Sequence, residues 1–309
     1  MDIPTIQPPR LKTGDTISIV APGSPIKVRD ALDQGIDTLQ KMGFHVRADE
    51  RILQSHRYLA GDDAARAEEL MLAFEDPSVQ AIIALRGGYG CARLIPLLME
   101  KRLRHYPKIF MGFSDLTTLH LFFRRRFGWI TVHGPMAATP ALGAITDDQK
   151  QHLLSLWTDP DYRPVLSFPQ LQTWTPGVAE GTLIGGCLSV IVASIGTPYE
   201  IKTEGKILFL EDHGEPPYRL DRMLTHLSLS GKLQNLAGLL LGSFLDCDPE
   251  RDDYTAMDTL RDIVTRLEVP TIANFPAGHG QDNWAIPLGA KVRIDADARS
   301  IEFLDSVVL

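Results

Sequence analysis

The sequence predicts an α/β fold whose first half is an open parallel sheet, and three features of the chain support this. The stretch "TISIVAPGSP" predicts a strand ending in a Pro/Gly turn, and apolar residues then recur at helical spacing: Val28, Leu32, Ile36, Leu39 and Met42. The runs "TISIV", "QAIIALRGG" and "KIFMG" are apolar throughout, as strands buried on both faces of a parallel sheet are. Helical segments such as "DDAARAEELMLAFED", capped at Asp62, alternate with these strands and are expected to cover the sheet.

The chain of 309 residues is about twice the usual domain size, so two domains are expected. We place an N-terminal flavodoxin-like α/β domain at residues 1–157 and a linker rich in Pro, Gln and Thr at residues 158–177. Residues 178–309 include the strand-like runs "KILFLED", "AGLLLGS" and "KVRIDAD", which predict a smaller, β-rich mixed α/β domain.

Composition excludes several classes of function. A net charge of -8 and a pI near 5.6 leave no electrostatic footprint for nucleic acid. The three cysteines form no C-x-x-C pair, so neither a disulfide framework nor a zinc site is indicated. No apolar run approaches the 18 residues of a membrane span, and the N-terminus does not resemble a signal peptide. The expectation is a cytoplasmic protein with no membrane partner.

The stretch "KIFMGFSDLTTLHLFFRRRF" raises the question of what Ser114 does. Strand-like residues end at Gly112, and a helix is expected to begin almost at once. Ser114 could cap that helix, with Asp115 in its first turn, and this stretch alone favours the capping role. Alternatively, a serine on a sharp strand-to-helix turn displays its hydroxyl at the carboxyl edge of the sheet, where α/β folds bind ligands. In that case the Asp115 amide could donate to a developing oxyanion.

The stretch "LRGGYGCAR" also ends a strand. Its glycines could present amides to an anion or supply the second oxyanion donor, from either Gly87 or Gly88. The spacing is not that of a Walker phosphate loop, and a plain tight turn is the alternative.

A serine nucleophile needs a base and an orienting carboxylate. His279 is the best base candidate, because its flanking glycines are expected to free its ring to approach another element. His133, at a strand end, is a reserve candidate, and the following are expected to be structural or solvated: His45, His56, His105, His120, His152 and His226. No two histidines have the H-x-x-x-H spacing of a zinc hydrolase.

The carboxylate candidate is Glu211, at the end of the apolar strand in "KILFLEDHGEPPYRLDR". A strand end could fix this side chain so that it points into a cleft. Asp212 and Glu215 are better explained as loop or capping charges. The chain order is then Ser114, Glu211, His279: nucleophile, acid, base.

Four motifs in this order resemble those of the bacterial LD-carboxypeptidases, a serine peptidase family that includes muramoyltetrapeptide carboxypeptidase and the microcin C immunity proteins. The motifs are "LRGGYG", "GFSDLT", "FLEDHGEPPYRLDRML" and "AGHGQDNWAIPLG", and the resemblance covers nearly the whole chain. It implies a flavodoxin-like N-terminal domain, a β-rich C-terminal domain and an active site between them, with Ser114 as nucleophile, Glu211 as orienting acid and His279 as base. One position departs from the family pattern: Cys187 stands where Asn is usual.

The resemblance further implies release of the terminal D-alanine from a murein tetrapeptide during cell-wall recycling. It implies no metal and no cofactor, a muropeptide substrate as the partner, and a homodimer. The oxyanion donors would be the amides of Asp115 and of Gly87 or Gly88. Arg86 and Arg219 are candidates for binding the substrate's terminal carboxylate, with a surface role as the alternative for both.

Two other functions remain open at this point. The microcin C immunity branch hydrolyses aminoacyl nucleotides, although "EPPYRLDR" resembles the cell-wall branch more closely. A non-catalytic module could instead use the glycine loop and Ser114 only to cradle an anionic ligand.

Overall fold

The computed structural model describes residues 3–249 and 254–309, which form two compact units. The first unit runs to Tyr162 and also contains Ala285–Pro287 and Ser306–Leu309. The second contains Arg163–Trp284 and Leu288–Asp305. Among the helices of the described residues, none combines the length and the apolar character that crossing a membrane requires.

In the first half of the chain, the described residues form strands that alternate with α-helices. In the second half, strands are more frequent than helices. The strands are β1 (Thr16–Val20), β2 (His45–Ala48), β3 (Ala81–Ala84), β4 (Ile109–Gly112), β5 (Thr131–His133), β6 (Val165–Leu166), β7 (Gln172–Thr175), β8 (Val178–Cys187), β9 (Lys206–His213), β10 (Gly238–Leu245), β11 (Thr271–Ala273), β12 (Ile286–Leu288), β13 (Lys291–Asp295) and β14 (Ser300–Phe303). The helices are α1 (Asp30–Lys41), α2 (Asp63–Glu75), α3 (Cys91–Leu94), α4 (Glu100–Leu103), α5 (Thr117–Phe127), α6 (Pro140–Gly143), α7 (Asp147–Thr158), α8 (Leu188–Ala193), α9 (Pro217–Leu229) and α10 (Ala256–Val264).

The first sheet has six strands in the order β12-β5-β4-β3-β1-β2. From β2 to β5 every neighbouring pair is parallel. The order β2-β1-β3-β4-β5 is that of a flavodoxin-like sheet, which confirms the predicted fold of the first half. Every residue of β3, β4 and β5 is buried, and for β3 and β4 their uninterrupted apolar sequences predicted this.

The second sheet has eight strands in the order β6-β14-β13-β8-β9-β10-β11-β7. Its centre, β8 to β11, is parallel, and the outer pairings are antiparallel. The mixed, β-rich character agrees with the prediction, although this sheet has more strands than the first. Two of them, β6 and β7, lie within the predicted linker 158–177 and occupy the sheet edges. Their Pro-, Gln- and Thr-rich sequence lacks the apolar alternation by which longer strands are recognised.

An aromatic cluster fixes the strand and helix on either side of Ser114. Phe110 of β4 packs edge-on against Phe123 of α5, with ring centroids 5.2 Å apart. Phe123 also contacts Phe74 of α2 at 5.3 Å and Trp129 at 5.2 Å. Each buried aromatic side chain contributes about 1.5–3 kcal/mol of hydrophobic stabilisation. The turn between β4 and α5 is therefore held at both ends by the core of the first unit.

Candidate active site

Ser114 lies in a strained turn directly after β4. Its backbone φ is +63°, a left-handed conformation that costs a non-glycine residue roughly 1–3 kcal/mol. A single 3-10 turn, Ser114–Leu116, then leads into α5, and Ser114 caps neither helix: the N-cap positions are Phe113 and Leu116, without side-chain cap hydrogen bonds. The side chain is partly exposed. The local sequence favoured a capping role for Ser114, and in the described part of the chain Ser114 does not have that role. The turn instead has the strained backbone of a nucleophile elbow.

Two glycines make room for this turn. A Cβ on Gly112 would lie 2.8 Å from Leu116 Cγ and 3.2 Å from Ala84 Cβ. A Cβ on Gly87 would lie 2.9 Å from Ser114 Cβ and 3.0 Å from Ser114 Oγ. The glycine loop after β3 thus lies directly against the serine hydroxyl.

His120 of α5 supports the elbow from inside the core. Its Nε2 is 2.9 Å from the Gly112 carbonyl oxygen, and its Nδ1 is 2.8 Å from Thr131 Oγ1. A carbonyl can only accept, so Nε2 carries the proton and Nδ1 accepts from the threonine hydroxyl. Burial lowers the pKa of His120 to about 3, which keeps the ring neutral in this role. The structural role expected for His120 agrees with these contacts.

Asp115 connects the elbow to the glycine loop. Its buried carboxylate accepts a hydrogen bond of 2.9 Å from the Cys91 amide at the end of that loop. Burial raises the pKa of Asp115, and the hydrogen bonds from Cys91 oppose this rise. The side chain of Asp115 therefore has a structural task, which leaves its backbone amide as the group to consider for oxyanion binding.

The glycine loop is also held from its other side. Ser24 donates its amide to the Gly87 carbonyl at 3.0 Å, and Ser24 Oγ accepts from the Tyr89 amide at 3.1 Å. Within the described part of the chain, the amides of Gly87 and Gly88 have no acceptor of their own. Both remain available to a ligand, so the choice between them stays open.

The second unit brings Glu211 and His279 together. Glu211 lies near the end of β9, two residues before its last residue, and is fully buried. Its Oε2 lies 2.6 Å from His279 Nδ1 and 3.2 Å from the His279 amide nitrogen. An ionised carboxylate only accepts, so Nδ1 carries the proton and Nε2 is left to act as a base. Burial lowers the pKa of His279, but the hydrogen bond and charge of Glu211, with the charge of Asp212, outweigh it and leave the pKa raised.

The backbone on both sides of His279 is held by hydrogen bonds, although its flanking glycines predicted a loop in which the ring is free to move. Gly278 donates its amide to Asn283 Oδ1 at 3.0 Å, and Gly280 donates to Ser243 Oγ at 2.9 Å. The glycines serve close packing instead. A Cβ on Gly278 would lie 2.5 Å from Glu211 Oε2, and Gly278 has a φ of +114°.

Asp212 and Cys187 support the same strand end. The buried Asp212 carboxylate accepts from the Ser189 amide at 2.7 Å in the first turn of α8 and from the His213 amide at 2.8 Å. Cys187 Sγ lies 3.4 Å from Asp212 Oδ1. Burial, together with the charges of Glu211 and Asp212, raises the pKa of Cys187 well above its ordinary value, so the thiol keeps its proton and donates. The cysteine thus offers a donor to the Asp212 carboxylate at this strand end.

The two candidate arginines have partners of their own. Arg86, which precedes Gly87, donates from Nη1 to the Pro25 carbonyl at 3.2 Å and is partly buried. Arg219 is 53% exposed on α9 and pairs with Glu215 at 3.3 Å. Glu215 lies in the loop before α9 and is engaged in this ion pair, which agrees with the loop charge that the sequence predicts.

Sequence reasoning overlooked His213. Its ring stacks against that of His279, with centroids 5.3 Å apart and planes inclined by 27°. The signal was present: side chains two residues apart on a strand share a face, and His213 follows Glu211 by two.

Comparisons with known proteins show which family and which solved folds the chain resembles. Family models of the LD-carboxypeptidase N-terminal and C-terminal domains match residues 17–134 and 180–294. A probable murein peptide carboxypeptidase of Bacillus subtilis (strain 168) is 35% identical over 292 residues, which cover 94% of this chain and 91% of the relative. The crystal structure of a muramoyltetrapeptide carboxypeptidase from Oxalobacter formigenes superposes with a TM-score of 0.80 at 30% identity, covering 93% of this chain and 97% of that one. The structure of MccF in complex with glutamyl sulfamoyl guanosine gives a TM-score of 0.92 at 22% identity over 98% and 99% of the two chains, a likeness of fold.

Proposed function

Since the chain belongs to the LD-carboxypeptidase family, we propose that it is a serine carboxypeptidase that removes the terminal D-alanine from murein tetrapeptide. The scissile bond joins the L-centre of diaminopimelate to D-alanine. The names of two relatives support this substrate: a probable murein peptide carboxypeptidase and a muramoyltetrapeptide carboxypeptidase. The observation that supports the mechanism best is the 2.6 Å contact of Glu211 with His279 Nδ1, because it leaves Nε2 as a base.

In the proposed acylation step, His279 Nε2 takes the proton from Ser114 Oγ as the oxygen attacks the diaminopimelate carbonyl carbon. The Glu211 carboxylate stabilises the imidazolium that forms. The tetrahedral intermediate collapses with cleavage of the C–N bond, and His279 returns the proton to the departing amine of D-alanine. Water, deprotonated by His279, then hydrolyses the ester, releasing the tripeptide and restoring Ser114.

The proposed oxyanion donors are the amides of Asp115 and of Gly87 or Gly88. Their position beside Ser114 and the unengaged amides of Gly87 and Gly88 support this assignment. For the terminal carboxylate of the substrate, Arg86 and Arg219 are retained as binding residues. Arg86 has the stronger support because it adjoins the glycine loop, whereas Arg219 lies on α9 beside Glu215.

The glycine loop gives a testable consequence. Gly87→Ala should lower kcat about 100-fold, because the new methyl group displaces the Ser114 hydroxyl and a 1 Å error in an active site has an effect of that size. Steady-state kinetics on the tetrapeptide measure this. Gly143→Ala on α6 is the control, since the three atoms nearest to its methyl group would all belong to the Gln34 side chain. Wild-type kcat in Gly87→Ala would contradict the placement of the loop against the nucleophile.

We further propose that the protein works in the cytoplasm, in peptidoglycan recycling, as a homodimer. Homodimers are the commonest assemblies of soluble proteins. Light scattering of the purified protein tests this part: a mass near twice the chain's 34.2 kDa is expected, and the monomer mass would contradict it.

The substrate proposal is tested by mass spectrometry of products from three compounds. L-Ala-γ-D-Glu-diaminopimelate-D-Ala should lose one alanine, with no effect of EDTA. The pentapeptide ending in D-Ala-D-Ala should remain intact, because its terminal bond joins two D-centres. An intact tetrapeptide together with hydrolysis of an aminoacyl nucleotide would replace the murein proposal by the immunity-type reaction.

A further inference from the structure

We propose that His213 is a positioning residue for His279, holding the face of its imidazole while Glu211 holds its edge. This inference rests on the proposed role of His279 as the base. His213 is not among the residues that the mechanism above uses. We place His213 away from the reacting atoms, so that it acts only through its contact with His279.

Strand geometry aims both side chains at the same imidazole. Glu211 and His213 occupy positions i and i+2 of β9, so their side chains leave the strand on one face. Glu211 reaches the Nδ1 edge of His279 at 2.6 Å, and the His213 ring lies against the flat side at a centroid distance of 5.3 Å. An interplanar angle of 27° makes this a stacked contact rather than an edge contact.

His213 is itself anchored. Its backbone pairs with Leu245 of β10, and the following residue, Gly214, donates its amide to the Leu245 carbonyl at 2.9 Å. At the far side of the ring, Nε2 lies 3.2 Å from Asp246 Oδ2. Although 47% of the His213 side chain is exposed, its backbone pairing and its contact with Asp246 hold the ring beside His279.

The restraint complements what Glu211 provides. One hydrogen bond at Nδ1 fixes a point on the His279 ring but permits the ring plane to tilt about that bond. The pinned amides of Gly278 and Gly280 fix the backbone, not the ring plane. Stacking against His213 limits the tilt and thereby sets the direction of Nε2, and small angular errors at a catalytic base are costly.

The test compares His213→Ala, which removes the stacked ring, with His213→Phe, which keeps a ring of similar size without nitrogens. We expect His213→Ala to lower kcat on the tetrapeptide about 10- to 100-fold with little change in KM. His213→Phe should recover most of that loss. His226→Ala, an exposed histidine of α9, is the matched control. Proton NMR of the His279 Nδ1–H should show faster solvent exchange in His213→Ala than in His213→Phe.

A second readout separates this inference from the substrate proposal. The rate at which a fluorophosphonate labels Ser114 depends on the base but not on the murein substrate. Suppose that the wild-type protein does not cleave the tetrapeptide, but that labelling is slowed in His213→Ala and restored in His213→Phe. This result would contradict the substrate proposal and support the positioning role of His213. Wild-type labelling rate in His213→Ala would overturn the inference, and so would equal impairment of the Ala and Phe variants.

Discussion

Ser114→Ala should abolish turnover, lowering kcat by about 10⁶-fold, the loss seen when a serine nucleophile is removed from a complete triad. The residual rate would come from the oxyanion donors and from substrate binding. Stability should change little, because alanine carries the same Cβ into the left-handed conformation that serine already adopts at φ +63°. Mass spectrometry of tetrapeptide digests measures the rate, and thermal unfolding measures the stability.

Ser155→Ala on α7 is the control for this variant, since it removes a hydroxyl from a helix of the same unit and should retain wild-type kcat. A non-catalytic binding module would give a different pattern, in which Ser114→Ala keeps most of its ligand affinity and no variant has turnover to lose. Substantial turnover by folded Ser114→Ala would contradict the nucleophile assignment.

Glu211→Gln should lower kcat about 10⁴-fold, the effect of replacing the orienting carboxylate of a serine triad by its amide. The amide lacks the charge that stabilises the imidazolium, and its NH₂ group can favour the tautomer with the proton on Nε2. His279 would then present a donor where the reaction needs a base. Steady-state kinetics with circular dichroism separate this effect from unfolding. Near-normal kcat would move the acid role to Asp212 or Glu215.

The same variant should change the pH dependence of the remaining activity. His279 must be neutral to accept a proton, so kcat/KM should fall as the pH drops through its pKa, which lies above the ordinary 6.5. Burial lowers that pKa and Glu211 raises it, so loss of the Glu211 charge should move the acid limb to lower pH. An acid limb that stays in place, or moves to higher pH, would show that another group controls it.

The organisation of the first half could be predicted because local signals and tertiary structure agree there. The helix predicted from Asp62 is α2, with the Asp62 side chain accepting from the Ala65 amide at its start. The apolar strands are buried on the sheet that their sequences predicted. The pattern of apolar residues predicts the type of an element well when the element is long and each of its faces has the same surroundings along its whole length.

The conformation of Ser114 could not be predicted from its own stretch. The sequence around it favours a helix cap. The left-handed φ is instead accommodated by residues elsewhere in the chain: Gly87 and Gly112 leave space for the turn, and the buried His120 contacts the Gly112 carbonyl. Only the combination of four motifs indicated chemistry at this position. Strain of this kind is held by tertiary contacts that no single segment encodes.

The second unit shows a similar limit. Glu211 and His279 could be named as candidates, but their contact joins residues 68 positions apart. The sequence predicts that the glycines around His279 give its ring freedom, whereas in the structure they permit close packing against Glu211 and Ser243. His213 belongs to no catalytic pattern by residue type, and its place beside His279 follows only from the face of β9 that it shares with Glu211.

The most direct test of the central claim, that Ser114 is the nucleophile activated by His279, is peptide mapping after treatment with a fluorophosphonate. We expect one phosphonyl group per chain, on Ser114, with loss of tetrapeptide hydrolysis in proportion to labelling and protection by excess tetrapeptide. Labelling should be far slower in His279→Ala and Glu211→Gln. Inactivation with the label on another residue, or a fully labelled Ser114 in an enzyme that still releases D-alanine, would contradict the account.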